Sequence, residues 1–326
     1  MILTGHDTYS GIRTLLRQAA GCAFAAALAL GAGAASAQTL GIATMQPGTL
    51  SYTTGSAVSS VMKEAGGVNM LVQPAAGESA LIPLVSRGEA DFGVANIFEV
   101  EAAKEANPDL RLVGTLHSLR GGLFVRKDSP MQTVADLKGK NVVMGFSAMN
   151  TIDLMTRAML AAGGLGPDDI NPVMVANIVR GADDFTSGTA DTFIFAFGAP
   201  KLREVEATMG GIRALIIPAE GLAAAQAIQP DGYLTRIDPG PIFVGVDAPM
   251  DVYTWDNMLF TNASVSDETI MKLIETLVAN KDALIAAQPA LREFSADALY
   301  KDYSVPYHPG ALKYFDAHGI TAKSIR

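Results

Sequence analysis

Short apolar runs rich in Val, Ile and Phe alternate with stretches of helical spacing through the middle of the chain, and the alternation occurs twice. The first series has strand-like TLGIAT (residues 39–44), NMLVQP (69–74), DFGVAN (91–96) and LRLVGTL (110–116). Between the first two, Val58, Val61, Met62 and Ala65 share one helical face, and Gly66-Gly67 supplies the glycine stop of a helix C-terminus. The second series reads NVVMGF (141–146), NPVMVAN (171–177), TFIFAF (192–197) and IRALIIP (212–218), with a first helix from about Thr151 to Gly163-Gly164. GEADF (88–92) returns as GTADTF (188–193), and LRLV (110–113) returns as IRAL (212–215). Such alternation predicts an α/β chain with parallel sheets and helices on both faces. The restart predicts two lobes rather than one ten-stranded sheet.

Two extended segments link the lobes in this reading: LFVRKDS (123–129), and the return through 240–260. Thr133 and Asp136 form a capping box after the first crossing. After the second, Ser266 caps a helix with Ile270, Leu273, Ile274, Leu277 and Val278 on one face, which packs back on the first lobe. The expected division is a leader at 1–37, one lobe from 38–122 with 247–326, and the other from 123–246. Two crossings make a hinge, with a cleft between the lobes.

The leader changes the compartment. A basic start at Arg13 and Arg17, the run AFAAALALGAGA and the small-x-small Ala35-Ser36-Ala37 form a secretory signal, with cleavage expected after Ala37 and a periplasmic product. The apolar run is too short to span a bilayer comfortably. Cys22 precedes that run rather than ending it, which argues against a lipid-anchored start. Cleavage leaves 289 of the 326 residues, with 22 basic and 32 acidic side chains and no cysteine. A net charge of −10 suits neither nucleic acid nor an anionic membrane. Disulfides and thiol nucleophiles are excluded.

Open α/β sheets bind ligands beyond the carboxyl ends of their strands, beside helix N-termini. Those positions are QPGTLSYTTG (46–55), residues 77–80, Asn96 and SAMNT (147–151). Their hydroxyls, amides and free backbone N–H groups suit a carboxylate. The candidates are Gln46, Thr49, Ser51, Tyr52, Ser79, Asn96, Ser147, Asn150 and Thr151. Arg120 is the first arginine candidate for gripping an acid, and Arg180 a weaker one. Phe197, at a strand end, lines the cleft, whereas Phe193 and Phe195 read as sheet core.

Catalysis finds little support. His117, His308 and His318 have no metal-ligand spacing, and neither GxSxG nor a P-loop occurs. Asp168-Asp169 and Asp183-Asp184 read as helix-start acids. No cofactor and no metal is expected.

The segments IATMQPGTLSYTTGSAV, GEADFGVAN, VADLKGKNVVMG and VPYHPGALKYF resemble the TAXI-type solute receptors of TRAP transporters, from about Leu40 to Gly319. The closing PYHPGA-x-KY-F-x-x-x-G pattern is the most specific of these. The resemblance implies a two-lobed periplasmic-binding-protein fold of type II character, acting as a monomer. It implies a small organic acid as ligand, a TRAP-type permease as partner, and ligand contacts from Tyr52 and the 147–151 loop. Two rivals remain: an enzyme on the same fold, and a sensor subunit presenting ligand to a membrane kinase. Where the family pattern reads Gly-Ser-Gly-Thr, this chain has Ala148-Met149-Asn150-Thr151, which favours a bulkier or less polar carboxylate. His308 has no acid or nucleophile nearby in sequence and reads as a packed clamp on the first lobe.

Overall fold

The computed structural model describes residues 39–325. The leader expected at 1–37 lies outside the described residues. The first repeat runs β1 (Leu40–Met45), α1 (Leu50–Glu64), β2 (Met70–Ala75), α2 (Glu78–Ser86), β3 (Phe92–Asn96) and α3 (Ile97–Ala103), and then enters β4 (Leu110–Arg126). The second runs β5 (Asn141–Met144), α4 (Asn150–Ala162), β6 (Asn171–Met174), α5 (Ile178–Thr186), β7 (Phe193–Ala196), α6 (Pro200–Met209) and β8 (Ile212–Ala214). Corresponding elements stand close to 100 residues apart. The echo between GEADF and GTADTF has a structural cause. The Asp91 carboxylate accepts from Gly41 N (2.7 Å) while Asp91 N donates to Gly41 O (3.0 Å). Asp191 repeats both bonds with Asn141, each at 2.8 Å. A half-buried aspartate thus ties the third strand of each repeat to the start of its first.

Parallel pairing holds inside each repeat, as expected. β1 pairs with β2 and β3, β5 pairs with β6, and a parallel bridge joins Val142 to Thr192 at the start of β7. The crossings differ from expectation. The predicted strand at 110–116 and the predicted crossing at 123–129 are one 17-residue strand, β4. It runs antiparallel to the 13-residue β10 (Met250–Asn262), so one eight-stranded sheet passes through both repeats. β3 pairs antiparallel with β10, and β7 and β8 pair antiparallel with β4. The reason is burial. Eleven of the thirteen residues from Leu112 to Phe124 are buried and the other two, Ser118 and Arg120, are half-buried, so no exposed break interrupts the strand.

Past β8 the chain forms α7 (Leu222–Ile228) and β9 (Tyr233–Ile237), which edges β10, and after β10 it makes α8 (Asp267–Ala279), α9 (Lys281–Ala287) and α10 (Pro309–Ala317). Ser266 caps α8 by accepting from Thr269 N at 3.2 Å, and Ile270, Leu273, Ile274 and Leu277 are buried. α8 packs against α1 and α10, so the C-terminal helices return to the first repeat.

The VPYHP stretch holds that return. Leu112 N donates to Pro306 O and His308 N donates to Leu112 O, both at 2.8 Å. The His308 ring is buried, and its Nδ1 accepts from Gly310 N (3.0 Å) as the N-cap of α10. Burial lowers its pKa, keeping the imidazole neutral in this cap role. Tyr300 stacks on Phe315 at 4.8 Å and meets Tyr307 edge-on at 4.8 Å. His308 is a packed clamp.

Candidate functional site

The two repeats touch at the carboxyl ends of their strands. Gln46 Nε2 donates to Asn177 Oδ1 (2.8 Å), Lys201 N to Gly48 O (3.0 Å), and Ser79 N to Ala148 O (3.2 Å). A Cβ on Gly77 would lie 2.2 Å from Ala148 O, so only glycine allows α2 to approach the α4 loop this closely. Between them lies a narrow cavity lined from both repeats by Met45, Leu50, Met149, Ile152, Ile194, Phe195 and, from β10, Trp255. Thr49, Ser51, Asn96 and Glu78 supply its polar wall. None of the described residues lining it is basic.

Glu78 and Glu99 organise the polar wall. Asn96 is the N-cap of α3 and accepts from Glu99 N at 3.0 Å. The spacing Asn96-x-x-Glu99 is that of a capping box, in which the third helical residue would accept from the cap N–H. Here Glu78 takes that N–H instead (2.8 Å) and also accepts from the Asn96 side-chain amide. Glu99 is thereby released to reach across to the second repeat. Its carboxylate accepts from Thr151 N (2.8 Å), Asn150 N (3.3 Å), Thr151 Oγ1 and Ser79 Oγ. Those backbone groups are the first N–H donors of α4, whose cap residue Met149 has no side-chain acceptor to offer.

Both acids are deeply buried, at 2 % and 3 % exposure. Burial first, and the neighbouring Glu99 second, push the Glu78 carboxyl up to about 8, while the Asn96 bonds pull it back in part. At neutral pH Glu78 carries its proton and Glu99 is the acid held by charge-assisted bonds at a helix N-terminus.

The candidate residues separate by position. Thr49, Ser51 and Asn96 line the cavity. Thr151, Asn150 and Ser79 surround Glu99 at its edge, and Gln46 joins the repeats. Arg120 and Phe197 face a second cavity with Leu50, Ser118, Phe243 and Arg292. There Arg120 pairs with Glu293 at 2.7 Å, and its buried Nε has no partner among the described residues. Tyr52 is half-buried on the first turn of α1 and lines neither cavity, and Ser147 is exposed. Two expectations need correction. Thr151, expected to present its hydroxyl to ligand from the 147–151 loop, is 2 % exposed, because Asn96 and Glu99 of the first repeat cover it. The α4 N-terminus was reserved for a ligand's carboxylate, yet Glu99 already fills it.

Glu78 and Glu99 escaped the sequence reading because each looks like an acid in a first helical turn, where capping explains it. Asp183 and Asp184 sit late in α5 rather than at its start, and pair with Lys201 (2.8 Å) and Arg180 (2.7 Å). Arg180 is therefore a surface ion-pair residue. His117 is buried and neutral: Nδ1 donates to Ser118 O (3.0 Å), leaving Nε2 to accept from Thr54 Oγ1 (2.9 Å) and Asn257 Nδ2 (3.2 Å). Asp256, fully buried, accepts from Tyr303 (2.6 Å) and Lys301 and anchors the C-terminal segment to β10. Among the described residues no helix is long and apolar enough to cross a membrane.

Residues 42–319 match the NMT1-like family. Among solved structures, PhnD1 from Prochlorococcus marinus (MIT 9301), in complex with methylphosphonate, is similar at 9 % identity and a TM-score of 0.58, over 88 % of this chain and 100 % of that one. A structure described as a periplasmic transporter aligns at 15 % identity and 0.56, over 78 % and 87 %. The alkanesulfonate-binding protein SsuA from Xanthomonas axonopodis pv. citri, bound to MOPS, aligns at 15 % and 0.51, over 87 % and 94 %. At these identities the likeness establishes the fold, a mixed α/β binding-protein architecture with a central sheet flanked by helices.

Proposed function

Because the chain belongs to the NMT1-like family, we propose that it is an extracytoplasmic solute-binding protein that encloses a small organic molecule between two lobes. The observation that carries this is the cavity at the carboxyl ends of both sets of strands, closed by contacts from both repeats. The lobes are 38–122 with 247–326, and 123–246, with β4 and β10 as the two strands that bend between them. Ligand contacts to both lobes favour the closed state, and a membrane permease recognises that state. The similar solved structures, two of them bound to small anions or a buffer, support capture rather than turnover, and no catalytic group is assigned. The exported, periplasmic location rests on the leader at 1–37.

The resemblance to TAXI-type receptors makes the partner a TRAP-type permease and the ligand a small organic acid. What supports an acid is Arg120, whose unpartnered Nε lies beside the second cavity with Phe197. What opposes an acid in the first cavity is Glu99 at the α4 N-terminus. Of the site residues, Thr49, Ser51 and Asn96 are proposed to touch ligand, while Gln46, Ser79, Asn150 and Thr151 act on closure. Mass spectrometry of ligand released from protein purified from an exporting host tests the reading, paired with small-angle scattering. A released small molecule whose return compacts the protein is the expected result. Turnover of that molecule by the purified protein overturns it in favour of an enzyme.

A further inference from the structure

We propose that the first cavity selects a small apolar amine, with Glu78 as its counter-ion and Glu99 as the residue that turns carboxylates away. The inference rests on the solute-binding reading and assigns that site its ligand class.

Three observations carry it. The wall is apolar apart from one end, with Met45, Leu50, Ile152 and Phe195 available for a hydrocarbon body. The polar end holds the Glu78 carboxyl, which accepts from the N–H and the side-chain amide of Asn96, and no basic side chain neutralises it among the described residues. Trp255, on the same wall, is 4 % exposed and gives an aromatic surface to a cation.

An anion entering this cavity comes up against the Glu99 carboxyl behind the Asn96 wall and finds the α4 N-terminus already occupied. An ammonium ion meets the reverse. The groups facing Glu78 are Glu99 from α3 and neutral Asn96 from the end of β3. Thr151 on α4 and Trp255 on β10 add no charge. In the empty protein Glu78 holds its proton because burial and Glu99 raise its pKa to about 8. On binding, the Glu78 O–H bond breaks, the proton passes to buffer, and the carboxylate left behind accepts from the ligand's N–H. The amine arrives already protonated, so the balance is one proton released per ligand bound.

The test uses primary amines from propylamine to benzylamine, each beside the alcohol and the carboxylate of the same carbon skeleton. Thermal shift ranks them, and calorimetry in two buffers of different ionisation enthalpy counts protons. The expected result is that an amine binds at least about tenfold tighter than its alcohol and carboxylate. It should release about 0.9 proton at pH 7, the protonated fraction of a group with a pKa of about 8. Glu78→Gln should abolish that release and weaken the amine at least about tenfold, with the alcohol changed by less than about threefold. The proton count on the parent protein stands even if the variant folds poorly. The inference falls if the carboxylate binds tightest, if amines bind without releasing protons, or if no amine raises the melting temperature at millimolar concentration. A carboxylate or alcohol that binds and compacts the protein removes the amine and leaves the solute-binding reading intact. A co-purified ligand that the protein turns over removes that reading instead.

Discussion

The N-termini of α1 and α4 occupy the same place in their repeats, 100 residues apart, and they are satisfied in opposite ways. At α1 the chain caps itself: Thr49 Oγ1 accepts from Tyr52 N (3.1 Å) and donates to Gln46 O (2.9 Å). At α4 the equivalent residue is Met149, with no acceptor, and the donors of Asn150 and Thr151 go to Glu99 of the other repeat. Replacing a hydroxyl by a thioether at one position thus moves a local capping bond into a contact between repeats. One helix start is a private matter of its own loop. The other helps hold the two halves together, and its occupant is an acid, which decides what charge the neighbouring cavity tolerates.

The largest expected effect tests the acid pair beneath that contact. Glu78 has a folded pKa of about 8 against an ordinary value of 4.5, so the native state keeps a proton that the unfolded chain releases between those pH values. Raising the pH through that window therefore favours unfolding. Relative to Glu78→Gln, the parent should lose a few kcal/mol of stability between about pH 4.5 and pH 8, at about 1.4 kcal/mol per pKa unit. Urea titrations of both proteins across this range measure it, and parallel curves would refute it.

Next comes the borrowed cap itself. Glu99→Ala leaves the first donors of α4 unpaired and should cost about 2–3 kcal/mol in urea unfolding, the scale of a hydrogen bond to a charged group. It should also let sulfate or benzoate stabilise the protein, because an anion can then sit at the vacated helix N-terminus. No anion effect in the variant would mean that the α4 N-terminus is not the feature excluding acids.

Gly77→Ala asks whether the contact between repeats matters without touching either acid. The added methyl meets Ala148 O, and the strain of overpacking, about 1–3 kcal/mol, should fall on the contact between the halves. Ligand affinity should drop about 5- to 100-fold, with the radius of gyration enlarged in small-angle scattering. An unchanged radius and affinity would show that the halves accommodate the methyl freely.

The smallest effect belongs to the self-capped end. Thr49→Ala should cost about 1 kcal/mol, an ordinary N-cap loss, and should leave anion binding unchanged. A loss as large as that of Glu99→Ala would erase the contrast between the two helix starts.

The repeat structure was readable from the chain alone because it depends on local periodicity: alternating apolar runs, glycine stops after Ala65 and Ala162, and the GEADF echo whose aspartate ties strands together. The His308 clamp was readable for a similar reason, since Pro309 and Gly310 define the helix start that it caps. Ser266 and the apolar face of α8 were equally plain. Crossing segments were harder. Leu110–Arg126 reads as a strand followed by a link because Ser118, Arg120 and two glycines interrupt its apolar pattern. Only its pairing with β10 makes it one strand.

Which residues line the cavity was decided above the level of sequence. Thr49, Ser51 and Asn96 were reachable as helix-start residues beyond strand ends, and they do line the cavity. Glu78 and Glu99 were not, because an acid in a first helical turn has a sufficient local explanation. What overrides that explanation is distance in space. Glu78 takes the Asn96 N–H from 18 residues away, and this frees Glu99 to bond donors 51 and 52 residues further along. Local sequence therefore determined where helices and strands begin, through hydroxyl caps, glycines and apolar period. The tertiary structure alone decided the charge of the cleft, since a buried carboxyl's protonation depends on which groups the fold brings against it and how much water it removes.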